Sequence, residues 1–379
     1  MDEIELTLLG PGYGECAVVH VGDGQWMIVD SCVKGPLQPV DDDGRPQSPA
    51  TAHPALAYLD EIGVPFDAVR WILATHWHDD HVQGLDHLLA CSPQAVLYIS
   101  QALAPDELLA MMLMPPLDDR SVTNGVQTMQ RAIAIATDRK RIEAKGEGVD
   151  LPRVTGPPGH GARILLLAPN TASWRKAQSE IARLLDEARR PGGVQRVKRP
   201  VRNDSSLVAW VETWSTEEDD RVAVLLGGDL ETTGAAARGW KAVHGSSWRP
   251  AGRASLVKVA HHGSANGFHA PVWTDMTDRP VAVLTPWDRG RGLPTIQGLA
   301  KFAPHSHRVV STAPPPIRPV VRSDRTGRRH PVLPTVYGRV TARRPMSASA
   351  ADAQGPGWTV DVLPPAIDLP CFPETTPSV

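Results

Sequence analysis

The apolar run Val69-Arg70-Trp71-Ile72-Leu73-Ala74 leads directly into Thr75-His76-Trp77-His78-Asp79-Asp80-His81, and residues 82–90 continue in a helical pattern. The first segment reads as a strand buried on both faces. Strand, polar loop and helix form one unit, and the rest of the chain has to be built around it. Three histidines and two aspartates within seven residues are costly at the end of a buried strand unless they hold something.

Neutral imidazoles and carboxylates together make a nitrogen and oxygen ligand set that suits zinc and tolerates manganese or iron. Alternate residues on an extended segment share a face, so His76 and His78 can converge on one metal. Asp80 and His81, at the turn into the helix, can face a second. The competing reading is a solvated loop with a chance run of histidines. The H-x-H-x-D-H spacing in its strand-then-helix context favours the metal.

The same arrangement recurs along the chain. Residues 4–9, 15–21 and 25–29 alternate as strands do, with glycine-containing turns between them. This meander ends on Asp30-Ser31, where a carboxylate is either a turn former or a group that orients metal ligands. A helix is expected over 53–63, with Leu56, Tyr58, Leu59 and Ile62 as its apolar stripe. After a strand over 95–99, helices are expected over 106–114 and 126–144, and the section 103–159 reads as a helical insertion or cap over a site.

A strand over 163–168 and a helix over 173–190 precede a basic loop with Arg196, Lys198, Arg199 and Arg202. That loop runs into Asn203-Asp204-Ser205-Ser206 and a strand over 207–214. The strand Val222–Leu226 ends on Gly227-Gly228-Asp229, a helix is expected over 232–243, and a strand over 256–260 ends on His261-His262-Gly263-Ser264. Four strand ends therefore carry groups with ligand chemistry, and function collects at such ends because loops there vary on a rigid scaffold. Strands over 281–284 and Arg308–Ser311 flank a short helix, Ile296–Phe302. Beyond the stiff Pro314-Pro315-Pro316, residues 336–342 and 358–362 can pair as a hairpin, with a poorly ordered tail after Pro364.

Composition narrows the function classes. With 42 acidic against 39 basic residues there is no global electrostatic footprint for nucleic acid or membrane, so any such binding rests on a local patch. The basic loop before Asn203 is that patch, read either as a contact to a phosphate backbone or as a solvated charge run. Cys16, Cys32, Cys91 and Cys371 lack C-x-x-C spacing, which suggests neither a disulfide framework nor a thiolate zinc site. An acidic start without a signal pattern, and no stretch of membrane-span length, make cytoplasmic the expectation.

Taken together these segments resemble the metallo-β-lactamase superfamily, for which H-x-H-x-D-H is the most specific signature. Leu226-Gly227-Gly228-Asp229 resembles its bridging-aspartate segment. Lys258-Val259-Ala260-His261-His262-Gly263-Ser264 and Asn203-Asp204-Ser205-Ser206-Leu207-Val208 resemble motifs of its ComEC-like branch, a hydrolase domain associated with bacterial DNA uptake. The opening Leu9-Gly10-Pro11-Gly12-Tyr13-Gly14-Glu15 with Val29-Asp30-Ser31 is similar to stand-alone members encoded in bacterial antiphage loci. One departure is Gly292-Leu293-Pro294, where that branch carries glycine-histidine-proline.

The resemblance implies an α/β architecture, an αββα four-layer sandwich with a helical insertion. The hydrolase domain would cover 1–312, followed by a Pro-rich extension over 313–379. It implies two zinc ions, with manganese as a substitute: His76 and His78 on the first, Asp80 and His81 on the second, Asp229 bridging, and His261 or His262 completing the second site. Asn203, Asp204 and His160 are the candidates for the third protein ligand of the first. Asp80, His261 and His262 would carry catalysis through a metal-bridging hydroxide, with Arg196, Lys198, Arg199, Arg202 and Asn203 contacting substrate. The expected activity is that of a phosphodiesterase or nuclease acting on nucleic acid. The alternatives are hydrolysis of a small phosphoester, lactone or thioester, and an interaction subunit that docks a partner protein through the helical insertion.

Overall fold

The computed structural model describes residues 3–11, 14–33, 53–103, 124–155, 160–189, 203–214, 221–287, 292–315, 321–323, 329–331, 337–346 and 357–370. The expected helix over 106–114, most of the basic loop with Arg196, Lys198, Arg199 and Arg202, and the residues after 370 lie outside these.

Strands β1 (Glu3–Gly10), β2 (Cys16–His20), β3 (Trp26–Val29), β4 (Val69–Ala74), β5 (Val96–Ser100) and β6 (Ile142–Lys145) lie side by side in chain order. The first three form the expected antiparallel meander, and β3 to β6 are parallel. Four further strands begin a second, nine-stranded mixed sheet: β7 (Val149–Asp150), β8 (Val154–Thr155), β9 (Gly161–Ala168) and β10 (Val208–Trp214). It continues through β11 (Val222–Leu226), β12 (Ala254–Lys258), β13 (Thr277–Leu284) and β14 (Arg308–Ser311), which run parallel to one another.

Side-chain alternation along these strands divides the interior into three layers of apolar packing. Leu6, Leu8, Val19, Met27 and Leu73 of the first sheet meet Ile164, Leu166, Val211, Val224 and Val283 of the second. Val18, Ile28, Ile72 and Leu97 face outward onto helices α1 (Pro54–Glu61), α3 (Leu85–Cys91) and α4 (Asn124–Asp138); α2 (Asp79–Val82) is the short turn that follows β4. After α5 (Thr171–Arg189), Leu165, Trp210, Leu225 and Val257 are covered by α6 (Gly239–Gly245), α7 (Ala270–Asp275) and α8 (Ile296–Phe302). Helix, sheet, sheet, helix is the expected αββα sandwich.

Several boundaries differ from the sequence reading. The helix expected over 126–144 stops at Asp138, and Ile142–Lys145 pairs in parallel with β5. Helix α4 thus lies in the crossover between two parallel strands, packed on the outer face of the first sheet, with its first turn against the Asp79–Val82 turn. The helix expected over 232–243 shrinks to Gly239–Gly245. Gly239 has φ +64°, and a Cβ there would meet the Glu231 carbonyl at 2.0 Å, so the chain doubles back before the helix can start.

Beyond the two-stranded β15 (Val321–Ser323) and β16 (Arg329–Pro331), β17 (Gly338–Pro345) and β18 (Thr359–Leu363) form the expected hairpin. It is laid against β1 as the edge of the first sheet. β19 (Ile367–Leu369) pairs with β14, so residues just past Pro364, expected to be poorly ordered, complete the second sheet. Strand pairing overrides the proline-rich composition there.

One helix cap helps hold the strand ends that matter. His53 accepts from Ala55 N at the start of α1 and shares a 2.8 Å hydrogen bond with the Ser31 hydroxyl, one residue beyond Asp30. Burial, with a smaller contribution from His87, pushes the His53 imidazole well below its ordinary value. The unfolded chain takes up a proton near pH 6.5 where the folded chain does not, so this stability is present above that pH and lost as pH falls through the folded value. His53→Gln should therefore flatten the acid side of the stability profile, removing up to about 1.4 kcal/mol per pH unit of slope below about pH 6.5. Urea midpoints measured across that range check it; identical slopes in variant and wild type would refute it.

Candidate metal centre

The parallel strands of both sheets end at one edge, and the polar residues at those ends meet there. Leu207 N donates to the Thr75 carbonyl at 2.9 Å, joining the end of β4 to the segment before β10. Asp80, His81, Asp229 and His262 each bring one ligand atom into a group whose members all lie within 4.8 Å of one another. Asp229 Oδ2 stands 3.4 Å from His81 Nε2, 3.7 Å from His262 Nε2 and 3.9 Å from His76 Nε2. His76 Nε2 and His78 Nδ1 face each other at 3.0 Å. Asp229 therefore faces both halves of the H-x-H-x-D-H segment.

Hydrogen bonding behind the group fixes which imidazole nitrogen carries a lone pair. His81 Nδ1 donates to Asp30 Oδ2 at 2.8 Å, and His262 Nδ1 donates to the Thr285 carbonyl at 3.0 Å. The Thr75 hydroxyl donates to Asp30 Oδ2 at 2.7 Å, so it accepts from His76 Nδ1 at 3.0 Å. Nε2 of His76, His81 and His262 is left as the acceptor in each case. Asp30 also accepts from Thr75 N at 2.7 Å, and so supports two of the three rings.

The group suits a cation. His81 Nε2, His262 Nε2 and Asp229 Oδ1 are buried polar atoms with no hydrogen-bond partner, and orphaned atoms of that kind require an explanation. Their donor chemistry, imidazole nitrogen and carboxylate oxygen, fits zinc or manganese. Electrostatics point the same way. Burial opposes ionisation of Asp80 and Asp229, yet the charges of His81 and His262 hold both carboxyls well below the usual range. Burial likewise opposes protonation of His81, which the carboxylates of Asp229, Asp80 and Asp30 raise well above its ordinary value. His262 is raised mainly by Asp229 and Asp80 against its own burial. His76 and His78, with burial dominant, are lowered.

His261 is not part of this group. It and His262 both lie in the left-handed region, at φ +50° and +52°, which sends adjacent side chains different ways, their ring centroids 6.3 Å apart. His261 Nδ1 stands 3.2 Å from Glu231 Oε1, and Asn203 Nδ2 reaches both Glu231 Oε1 (2.9 Å) and His261 Nε2 (3.2 Å). Asp204, expected as a ligand, instead takes Lys176 and Arg238 on its Oδ2 at 2.8 and 2.9 Å. His160 precedes Gly161, which pairs with Trp214 at the far end of the β9–β10 ladder. It is thus roughly 23 Å along the strand from the site edge at about 3.3 Å per residue. Of the three candidate third ligands of the His76 and His78 pair, Asp204 is taken by two cationic side chains and His160 lies at the other end of its strand, while Asn203 Oδ1 is buried without a hydrogen-bond partner.

Two residues in the site's support went unassigned in the sequence. Glu15 and Lys258 form a buried ion pair behind His81 and His262. A glutamate before one apolar strand and a lysine at the end of another gave the only signal, since neither fits a strand buried on both faces. Gly14, beside Glu15, lies so close that a Cβ would meet the Asp80 carbonyl at 1.7 Å.

Two mixed sheets with helices outside and a histidine and aspartate group at the strand ends of one edge agree with the αββα sandwich that the sequence resemblance implies. No protein-family model matches the sequence, and no curated protein does. Among solved structures, the chain is similar to the Rm3 metallo-β-lactamase at 14% identity and TM-score 0.31, covering 62% of this chain and 64% of that one. It is similar to MEM-A1, a subclass B3 metallo-β-lactamase isolated from a soil metagenome library, at 14% identity and TM-score 0.33, covering 68% and 78%. It is also similar to AbOPH, a hydrolase in the β-lactamase superfamily, at 23% identity and TM-score 0.23, covering 40% and 51%. The chain thus spans less than two thirds of the Rm3 enzyme and about half of AbOPH. No described helix is long and apolar enough to cross a membrane.

Asp30→Asn keeps the size of the side chain but removes an oxygen that accepts from both Thr75 and His81. Zinc affinity should fall about 10–100-fold, read by competition against a chromogenic chelator. An unchanged affinity would remove Asp30 from this role.

Proposed function

We propose that this protein is a dinuclear metal-dependent hydrolase acting on phosphodiesters, with nucleic acid as the substrate class and, from the likeness of its opening segment to antiphage proteins, a role in defence against phage. The observation that carries the reading is the convergence of His81 Nε2 and His262 Nε2, both buried and without a hydrogen-bond partner, on Asp229 Oδ2. Asp80, His81, Asp229 and His262 would hold one cation; His76 and His78, with Asp229 shared, would hold another. Divalent cations there supply Lewis acidity and a water activated at neutral pH.

Charge favours an anionic substrate. Glu15, Asp30, Asp80 and Asp229 bring four carboxylates to the site against the single ammonium of Lys258. Two divalent cations would offset that negative charge, and with it the repulsion of an anionic phosphodiester. His261 stands at the rim, its side chain 19% exposed and braced by Glu231 and Asn203. Its Nε2 accepts from Asn203 Nδ2 and its Nδ1 faces Glu231, so the ring orders this rim of the site.

The test is turnover with and without metal. Zinc- or manganese-loaded protein should cleave bis(4-nitrophenyl) phosphate and single-stranded DNA or RNA, and chelation should abolish both. Asp80→Ala and Asp229→Ala should each lose several kcal/mol of transition-state stabilisation, about 10²–10⁴-fold in rate. Hydrolysis of a lactone or thioester with no cleavage of any phosphodiester would refute the substrate class while leaving the metal centre intact.

A further inference from the structure

Lys258 and Glu15 come from different sheets. Lys258 ends β12, and Glu15 precedes β2. Their side chains are 5% and 3% exposed, and the ammonium contacts Glu15 Oε1 directly. A buried ion pair is no argument for stability in itself, because desolvation offsets much of the attraction. Its surroundings give it another use.

Each partner is anchored to a different piece of the metal centre. Glu15 N donates to the Asp80 carbonyl at 3.3 Å. Lys258 Nζ donates to the Gly228 carbonyl at 2.9 Å, one residue before Asp229, and its own carbonyl accepts from Gly227 N at 3.1 Å. The pair therefore bridges the Asp80 segment of the first sheet and the Asp229 segment of the second. The carboxylate also sits behind both ligand histidines, with Oε1 3.9 Å from His81 Nδ1 and Oε2 3.7 Å from His262 Nδ1. Oε2 is buried without a hydrogen-bond partner. A negative charge there favours a proton on each Nδ1, and so a lone pair on each Nε2, which faces Asp80 and Asp229. Glu15, Lys258, Asp30 and Gly228 together line a cavity between the sheets.

We infer that the Glu15–Lys258 pair is a positioning device for the metal centre: it sets the separation of the Asp80 and Asp229 segments across the two sheets and holds His81 and His262 with Nε2 turned inward. The inference rests on reading Asp80, His81, Asp229 and His262 as metal ligands. Lys258 supplies the partner that holds the Glu15 carboxyl in place behind the rings.

Removing one partner alone strands the other charge in the interior, so Lys258→Met or Glu15→Gln alone loses stability for reasons unrelated to metal. The informative protein is the double variant Glu15→Gln/Lys258→Met, which removes both charges at similar volume. Its metal-free form is expected to melt within roughly 4 °C of wild type. Its zinc dissociation constant, measured by chelator competition, should rise about 10–100-fold. Nitrogen-15 spectra of the zinc-loaded proteins should show Nδ1–H with Nε2 ligated at His81 and His262 in the wild type, and a mixture in the double variant. Zinc affinity equal to or tighter than wild type would overturn the proposal. So would collapse of the metal-free double variant, since the pair would then be needed for the fold itself. If wild-type protein binds no zinc or manganese, the metal reading fails first and takes this inference with it.

Discussion

A carboxylate buried away from water is tolerated only when its oxygens are engaged, and Asp30 is the one on which the rest of the site depends. It lies 2% exposed at the end of β3, with φ +60°. That left-handed turn costs an ordinary residue about 1–2 kcal/mol, and it brings the carboxylate to the end of β4. There it accepts from Thr75 N, the Thr75 hydroxyl and His81 Nδ1. Parallel pairing of β3 with β4 places the two strand ends side by side. Strand register thus becomes ring orientation through a single side chain.

The second sheet meets this arrangement through backbone contacts that allow little displacement. Leu207 N donates to the Thr75 carbonyl at 2.9 Å across the two sheets, and a Cβ at Gly228 would lie 3.4 Å from the Thr75 Cβ on one side and 2.6 Å from the Leu207 carbonyl and the Ser206 hydroxyl on the other. Ser206 in turn accepts from Asp229 N at 3.1 Å. Asp229 is therefore placed by backbone on one side and by Lys258 on the other. The geometry of the site belongs to the packing of two sheets and to no single loop.

Much of this was legible in the sequence for a definite reason. Val69–Ala74, Val222–Leu226 and Arg308–Ser311 are apolar runs whose boundaries in the fold match the reading, because burial on both faces leaves a sharp transition to polar residues at each end. The residues brought together, His76, His78, Asp80, His81, Asp229 and His262, stand at such transitions. What local pattern cannot encode is where a side chain goes once the sheets meet. Asp204 has the right chemistry and the right neighbours in the chain, yet Lys176 and Arg238 arrive from α5 and from the loop before α6 to claim it. His160 has the right side chain at the wrong end of its strand. Glu15 and Lys258 lie 243 positions apart, and their pairing is a property of the sandwich.

The adjacent histidines show how a backbone choice divides two roles that composition leaves equivalent. In extended or helical backbone, neither residue would need positive φ. Here residues 261 to 263 have φ of +50°, +52° and +75°, a run that only glycine adopts without strain. The strain persists because both rings are held from outside: His262 by the Thr285 carbonyl and the stacked indole of Trp287, His261 by Asn203 and Glu231. His262 is driven into the cation group at 2% exposure while His261 is left at the rim. One strained turn thereby separates a ring buried within the histidine and aspartate group from a ring held at its rim.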